Sequence, residues 1–270
     1  MTNRVLITGG ASGLGKALAQ AYLKQGDQVL ITDIHAERAE QTVQELKALG
    51  DIQYQTANTT IDDDWQALVS WVEKHWGGVD VLVNNAGVAA AGRIDTLSMA
   101  DWDWIIDINL KGVVRGCHAF TPMMKKQGSG QFINIASLAA VANVPTMASY
   151  NVTKSGVVSL SETLRHELTP YGIRVSVVCP SFFQTNLADS LRTSEQGLDG
   201  TFRKLLAGGK LTADQVADKI IRGARRNTFM ILPHVEGKAL YLIKRYAPFL
   251  YNLGLADAGR RMKKRFDQTR

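Results

Sequence analysis

Cysteine is scarce in this chain, with two in 270 residues, and Cys117 and Cys179 lie far apart in apolar surroundings. A disulfide framework is therefore not indicated, and a reducing compartment fits. Long apolar runs are missing too. No stretch of about 18 apolar residues occurs, so no membrane-spanning helix is expected. The N-terminus, Met-Thr-Asn-Arg, passes directly into Val5-Leu6-Ile7 without a basic-then-apolar leader, and the expected location is the cytoplasm. His118, His166 and His234 show no ligand spacing, so no metal site is expected. Internal repeats, low-complexity tracts and linkers are absent as well. With 45% apolar and 21% charged residues, the length suits one large domain that buries its own core.

The net charge of +6 raises the question of a nucleic-acid partner. Its distribution argues against one. Between Lys238 and Arg270, nine Lys/Arg residues face only Asp257 and Asp267, an excess of +7, which leaves the preceding 237 residues at −1. The basic character belongs to the tail.

Strand-length apolar runs alternate with longer stretches of helical period, the pattern of a parallel sheet covered by helices on both faces. The expected fold class is α/β, a single doubly wound Rossmann-type domain with about seven parallel strands, plus a basic helical C-terminal extension. Strands are predicted at residues 4–8, 28–33, 52–57, 79–83, 131–135, 174–178 and 229–232. Helices are predicted at 14–25, 36–49, 63–76, 148–171 and 213–226, with a long or broken helix over 99–126. Residues 181–210 have weak periodicity and four glycines, which reads as a partly helical functional loop. The organisation expected is a domain over 1–237 with a substrate loop at about 181–212, then the extension over 238–270.

Thr8-Gly9-Gly10-Ala11-Ser12-Gly13-Leu14-Gly15 follows the first strand and opens the first helix. Backbone N–H groups and the helix dipole at such a turn can receive a pyrophosphate, and glycine permits the close approach. Asp33 ends the second strand 18 residues after Gly15, near the spacing of an acid that binds the adenosine ribose and repels a 2′-phosphate. An N-cap role for the helix at Ala36 is its competing reading. Tyr150 and Lys154 stand four apart on a predicted helix, one turn from each other on the same face, where an ammonium can stabilise a phenolate. Such pairs also arise by chance on helix surfaces. Ser137, just past the end of a predicted buried strand, gives this one weight, because open parallel sheets place their ligand sites there.

Taken together, the glycine turn, Asn84-Asn85-Ala86-Gly87, Asn109 in Ile108-Asn109-Leu110, Ser137 in Asn134-Ile135-Ala136-Ser137, and Tyr150-Asn151-Val152-Thr153-Lys154 match the short-chain dehydrogenase/reductase family in order and spacing. The chain resembles that family from about Arg4 to Leu232. The resemblance implies a tetrad in which Tyr150 exchanges a proton with the substrate oxygen and Ser137 orients that oxygen. Lys154 depresses the Tyr150 pKa and holds the nicotinamide ribose, while Asn109 helps to position a water. It also implies cofactor contacts from Gly9, Ser12, Gly13, Leu14, Gly15, Asp33, Asn58, Thr59, Asn85, Ala86, Gly87, Tyr150, Lys154, Pro180, Phe183 and Thr185. Asn85-Ala86-Gly87 is equally expected to brace the sheet. Two positions depart from the family pattern: Asn58 replaces an adenine-binding acid, and Ser181 replaces the glycine that follows Pro180.

The activity implied is hydride transfer between NAD(H) and the CH–OH/C=O group of a secondary alcohol or ketone. NAD(H) is preferred over NADP(H) because Asp33 is followed by Ile34 and not by a basic residue. The expected pocket residues, 138–147 and those near 88–93 with Phe182, Phe183, Leu187 and Leu191, are mostly apolar, so an apolar substrate is expected. A homotetramer is the family default. The tail interleaves apolar and aromatic residues with basic ones, and three readings compete: packing on the protein's own tetramer, contact with a membrane surface that would make the protein peripheral, or a grip on an anionic ligand such as an acyl-CoA. The competing functions are an NADPH-dependent 3-oxoacyl reductase and a cofactor-binding, membrane-associated regulatory protein.

Overall fold

A computed structural model describes residues 2–195 and 197–267; position 196 of the predicted loop and residues 268–270 of the predicted extension lie outside the described residues. The first half of the chain contains β1 (Arg4–Thr8), α1 (Gly13–Leu23), β2 (Gln28–Asp33), α2 (Ala36–Leu46), β3 (Ile52–Thr56), α3 (Asp62–Trp76) and β4 (Val81–Asn84). Next come β5 (Ala90–Ala91), α4 (Met99–Ile106), α5 (Gly112–Gln127), β6 (Gly130–Ile135), α6 (Ala139–Ala142), α7 (Ala148–Leu168) and β7 (Ile173–Val178). The chain closes with β8 (Arg192–Thr193), α8 (Leu198–Ala207), α9 (Ala213–Arg225), β9 (Met230–Ile231), α10 (Val235–Tyr246) and α11 (Pro248–Asp267).

Seven strands form one parallel sheet in the order β3-β2-β1-β4-β6-β7-β9. Its strands are continuous apolar runs because both faces are covered. Within β1, Val5 and Ile7 face a core shared with Leu18, Val216 and Ile220, while Leu6 faces Trp65, Phe120 and Val157 on the other side. Each fully buried side chain of this kind contributes roughly 1.5–3 kcal/mol over leaving it in water. Successive crossovers run outward from β1 through β2 to β3, then in the opposite direction from β4 through β6 to β7. That reversal opens a crevice at the strand C-termini between β1 and β4, where ligands of such sheets bind.

Three segments differ from expectation in an instructive way. The helix expected over 99–126, long or broken, runs without interruption from Met99 to Gln127 but widens into a π-helical turn at Asp107–Lys111, whose Asn109 is fully buried. A local widening of this kind leaves no trace in hydrophobic period. Strand 79–83 is displaced to Val81–Asn84, since Val79 spends its N–H on the Gln127 side chain. The loop expected after β7 is ordered by a 3₁₀ turn at Asn186–Ser190, by β8 pairing with β5, and by α8.

Candidate active site

One cavity of about 620 Å³ runs along the C-terminal edge of the sheet across the β1/β4 reversal. At one end lies the glycine turn. Gly9 and Gly13 hold φ values of +64° and +52°, a region that glycine enters without steric cost. A Cβ on Gly15 would lie 2.1 Å from the Gly9 carbonyl oxygen, so this position is closed to any side chain. Ser12 caps α1 without a side-chain hydrogen bond, and the first turn carries no acid. The first N–H groups of α1 are therefore left by the side chains for an anion. Thr185, which follows β7, reaches over this turn, and a Cβ on Gly13 would lie 2.8 Å from its Oγ1.

Asp33 lines the same end of the cavity. Its Oδ2 accepts the Ala11 N–H and its Oδ1 the His35 N–H, at 3.2 and 3.1 Å. It does not cap α2, where His35 occupies the N-cap position. Asn58 and Thr59 line the cavity beside it, and Asn58 Oδ1 accepts bonds from the Thr60 N–H and hydroxyl. Asn85 is a brace: its Nδ2 donates to the carbonyls of Thr8 and Gly9, while the Asn85 and Ala86 N–H groups donate to Thr8 Oγ1. These groups fit a dinucleotide, with a donor-rich turn for the phosphates and a carboxylate for the ribose hydroxyls.

Ser137, Tyr150 and Lys154 meet midway along the cavity. Strand β6 delivers Ser137 just beyond its end, and α7 carries Tyr150 and Lys154 on one face. Ser137 stands near enough to the Tyr150 hydroxyl to pull its pKa down. Lys154 Nζ donates to the Ile135 carbonyl at 3.0 Å and stands 5.8 Å from the centre of the Tyr150 ring. The expected depression of the phenol pKa by Lys154 is not what this geometry yields. Burial pushes Tyr150 up to about 12, with Ser137 pulling it partly back. Burial also pushes the Lys154 ammonium down to about 8. The ammonium is turned to a carbonyl and is not in hydrogen-bond contact with the phenol, so desolvation dominates both groups.

Asn109 acts from beneath. Its Oδ1 accepts the Val88 N–H at 2.8 Å and its Nδ2 donates to the Val88 carbonyl at 2.9 Å. A Cβ on Gly87 would stand 3.1 Å from that Oδ1 and 3.3 Å from Lys154 Nζ, so Gly87 packs between the two.

The remaining end of the cavity is apolar, lined by Trp104, Ile108, Leu138, Met147, Phe182, Leu187, Phe202 and Leu206 among others. Phe202 and Leu206 escaped sequence reasoning because they come from a helix far from any motif, and Trp104 and Ile108 because a motif at Asn109 does not show which neighbouring side chains face the cavity. His35 and Arg38 at the ribose end, two and five residues after Asp33, were likewise not singled out, because nearness in sequence does not show which side chains turn toward the cavity. Of the expected pocket, only Leu138, Ala139, Ala142 and Met147 of residues 138–147 line the cavity, and Leu191 packs behind it with Ala188, Phe202 and Leu206. Ser181, in place of glycine, needs no left-handed backbone; its N–H donates to Nδ1 of the buried His234 at 3.1 Å. Burial lowers the His234 pKa below the ordinary histidine range, which keeps that nitrogen an acceptor. Phe183 lies beside the His234 ring, its centroid 6.3 Å away.

Comparison with known proteins bears on this arrangement directly. The family model for short chain dehydrogenases matches residues 3–196. A probable oxidoreductase, EphD, of Mycobacterium tuberculosis is 31% identical over 90% of the chain, and the chain spans only 43% of that protein. A 3-oxoacyl-[acyl-carrier-protein] reductase, FabG, of Staphylococcus aureus is 35% identical over 71% of the chain and 78% of that protein. Among solved structures, a short-chain dehydrogenase/reductase from Burkholderia phymatum in complex with NAD matches at a TM-score of 0.87 and 30% identity, over 92% of this chain and 95% of that one. A short-chain dehydrogenase from Sphingobium yanoikuyae in complex with NADPH matches at 0.77 and 25%, over 92% and 95%. With the family model covering more than half of its length and the sheet order and crevice in agreement, the chain belongs to the short-chain dehydrogenase/reductase family.

Proposed function

We propose that the chain transfers hydride between NAD(H) and an apolar secondary alcohol or ketone, with Tyr150 as the proton-transferring group. The observation that carries this reading is that Tyr150, Ser137 and Lys154 line one cavity together, set between a glycine turn suited to phosphate and an apolar chamber. A substrate oxygen placed between the two hydroxyls would receive hydrogen bonds from both, which orients the reacting carbon and stabilises a developing alkoxide. The nicotinamide, when bound, supplies the hydride acceptor or donor. In oxidation Tyr150, having first given up its own proton, takes the alcohol proton as the phenolate; in reduction Tyr150 gives its proton to the carbonyl oxygen. A phenol held at about 12 is protonated at neutral pH and can give a proton outright, whereas taking one draws on the positive charge of Lys154. Asn109, whose side-chain bonds go to Val88, serves by holding the turn after Gly87 in place.

Changing Tyr150→Phe removes the transferable proton and little volume. Turnover of any accepted alcohol should fall by about a thousandfold or more, while NADH binding measured by fluorescence persists. Retention of the parent rate would exclude Tyr150 from the chemistry.

The preference for NAD(H) rests on the Asp33 carboxylate at the ribose end. Arg38 lines that end too and is the group that a 2′-phosphate would engage. Asp33→Ala should shift the NAD/NADP ratio of kcat/KM toward NADP by about tenfold; an unchanged ratio would remove Asp33 as the selector. A second reading, reduction of a 3-oxoacyl chain, is favoured by the likeness to FabG, and faster turnover of a 3-oxoacyl thioester with NADPH would decide for it. The homotetramer, the family default, is checked by sedimentation velocity.

A further inference from the structure

Helices α10 and α11 form a two-sided unit. The inner side is fixed to the wall of the cavity: Lys244 Nζ donates to the Val141 carbonyl and the Tyr251 hydroxyl to the Ala142 carbonyl, each at 2.8 Å, while Gly237 packs on Leu138. On the outer side Leu242, Ile243, Tyr246, Phe249, Leu250 and Leu253 are each 40–75% exposed. Within each helix the spacing of three and four residues gathers them on one face, Leu242, Ile243 and Tyr246 on α10 and Phe249, Leu250 and Leu253 on α11. Scattered exposed leucines need no explanation, but aromatic and aliphatic residues grouped on one face of each of two successive helices do.

Charge identifies the occupant. Lys238, Arg245, Arg260, Arg261, Lys263 and Lys264 are all exposed on the same two helices. Among the described side chains of this unit the acids are Glu236 and Asp257, and Asp257 is engaged by Arg260 and Arg261. A second copy meeting this face by two-fold symmetry would bring each cationic cluster against its equal, which costs affinity. Nucleic acid would satisfy the cations and leave the apolar faces in water. An anionic bilayer surface answers both features, with acyl chains for the apolar faces and headgroups for the lysines and arginines, whose long stems reach outward from the apolar zone.

We propose that α10 and α11 dock the protein on anionic lipid bilayers through their outer side, standing between the bilayer and the cavity wall formed by α6. The docking reading does not depend on the proposed reaction, since its readout is binding. The test is co-sedimentation of the full chain with vesicles of phosphatidylcholine alone and with about 30% phosphatidylglycerol. The intact protein should sediment with the anionic vesicles, less with the neutral ones, and less again in high salt. The double variants Leu242→Ser/Phe249→Ser and Lys263→Glu/Lys264→Glu should each lower the partition coefficient by about tenfold. Turnover of a water-soluble alcohol should be unchanged in both. Because the substituted side chains are exposed, both variants should fold, and circular dichroism checks it. If one variant fails to fold, the other decides. Failure of the intact protein to bind anionic vesicles, or partition equal to wild type in a folded variant, overturns the proposal. So does loss of a wild-type oligomer in the Leu242→Ser/Phe249→Ser variant without lipid binding, which would assign the apolar faces to a second copy.

Discussion

The two ends of the cavity are built by different means. At the ribose and phosphate end, backbone atoms stand where side chains cannot fit: Gly15 touches the Gly9 carbonyl, and Thr8 Oγ1 ties β1 to the Asn85 and Ala86 N–H groups. At the substrate end the walls are side chains contributed by α4, α6, α8 and the segment after β7, joined by contacts such as the Phe182–Phe202 edge-to-face pair at 6.1 Å. A backbone cradle tolerates almost no substitution and holds one ligand geometry. Side-chain walls can be exchanged residue by residue without disturbing the sheet, so substrate choice can change while cofactor binding stays.

The sharpest way to break this contrast is Gly15→Ala. One methyl against a main-chain oxygen should cost about 2–4 kcal/mol of stability and lower NADH affinity by about a hundredfold. Thermal denaturation and fluorescence titration would measure both, and a fully stable variant with normal affinity would mean that the cradle yields more than its geometry indicates.

Lys154→Met probes the junction of the two ends and should act in the opposite direction on stability. A buried ammonium lowered from 10.5 to about 8 is penalised in the folded state, in full below pH 8 and progressively less between 8 and 10.5, as the folded protein releases the proton that the unfolded chain still holds. Part of the gain is offset by the stranded Ile135 carbonyl. The cofactor-free variant should be inactive yet more stable by about 1–2 kcal/mol at pH 7, with the advantage shrinking toward pH 10. A variant less stable than the parent at pH 7 would show that the Ile135 bond outweighs desolvation.

The smallest change is expected from Phe182→Ala at the substrate end. Half-exposed, this ring should cost less than about 1 kcal/mol of stability when truncated. KM for bulky apolar ketones should rise about tenfold, while KM for NADH and for small ketones holds. A matching loss of NADH affinity would show that the two ends are coupled through the segment that also carries Thr185.

How much of this was legible beforehand follows the same division. The cradle and the Ser137, Tyr150 and Lys154 set could be read directly, because glycine turns, strand ends and i, i+4 helix spacing are local consequences of chain geometry. The π turn that seats Asn109, the His234 support of Ser181, and the wall from α8 could not. Each depends on a partner more than fifteen residues away: Val88 for Asn109, Ser181 for His234, Phe182 for Phe202. The direction of the Tyr150 shift was likewise unreadable, since spacing places Lys154 beside the phenol but says nothing about how deeply either is buried.

By itself, then, the sequence determined the succession of strands and helices along the chain, the glycine turn and the residues set at the strand ends, since hydrophobic period and glycine sterics act over a few neighbours. The tertiary structure alone decided that the phenol is pushed up and the ammonium down, that the loop after β7 closes an apolar chamber, and that the apolar faces of α10 and α11 point outward. These depend on which surfaces lose water, and that is settled only when distant segments pack together.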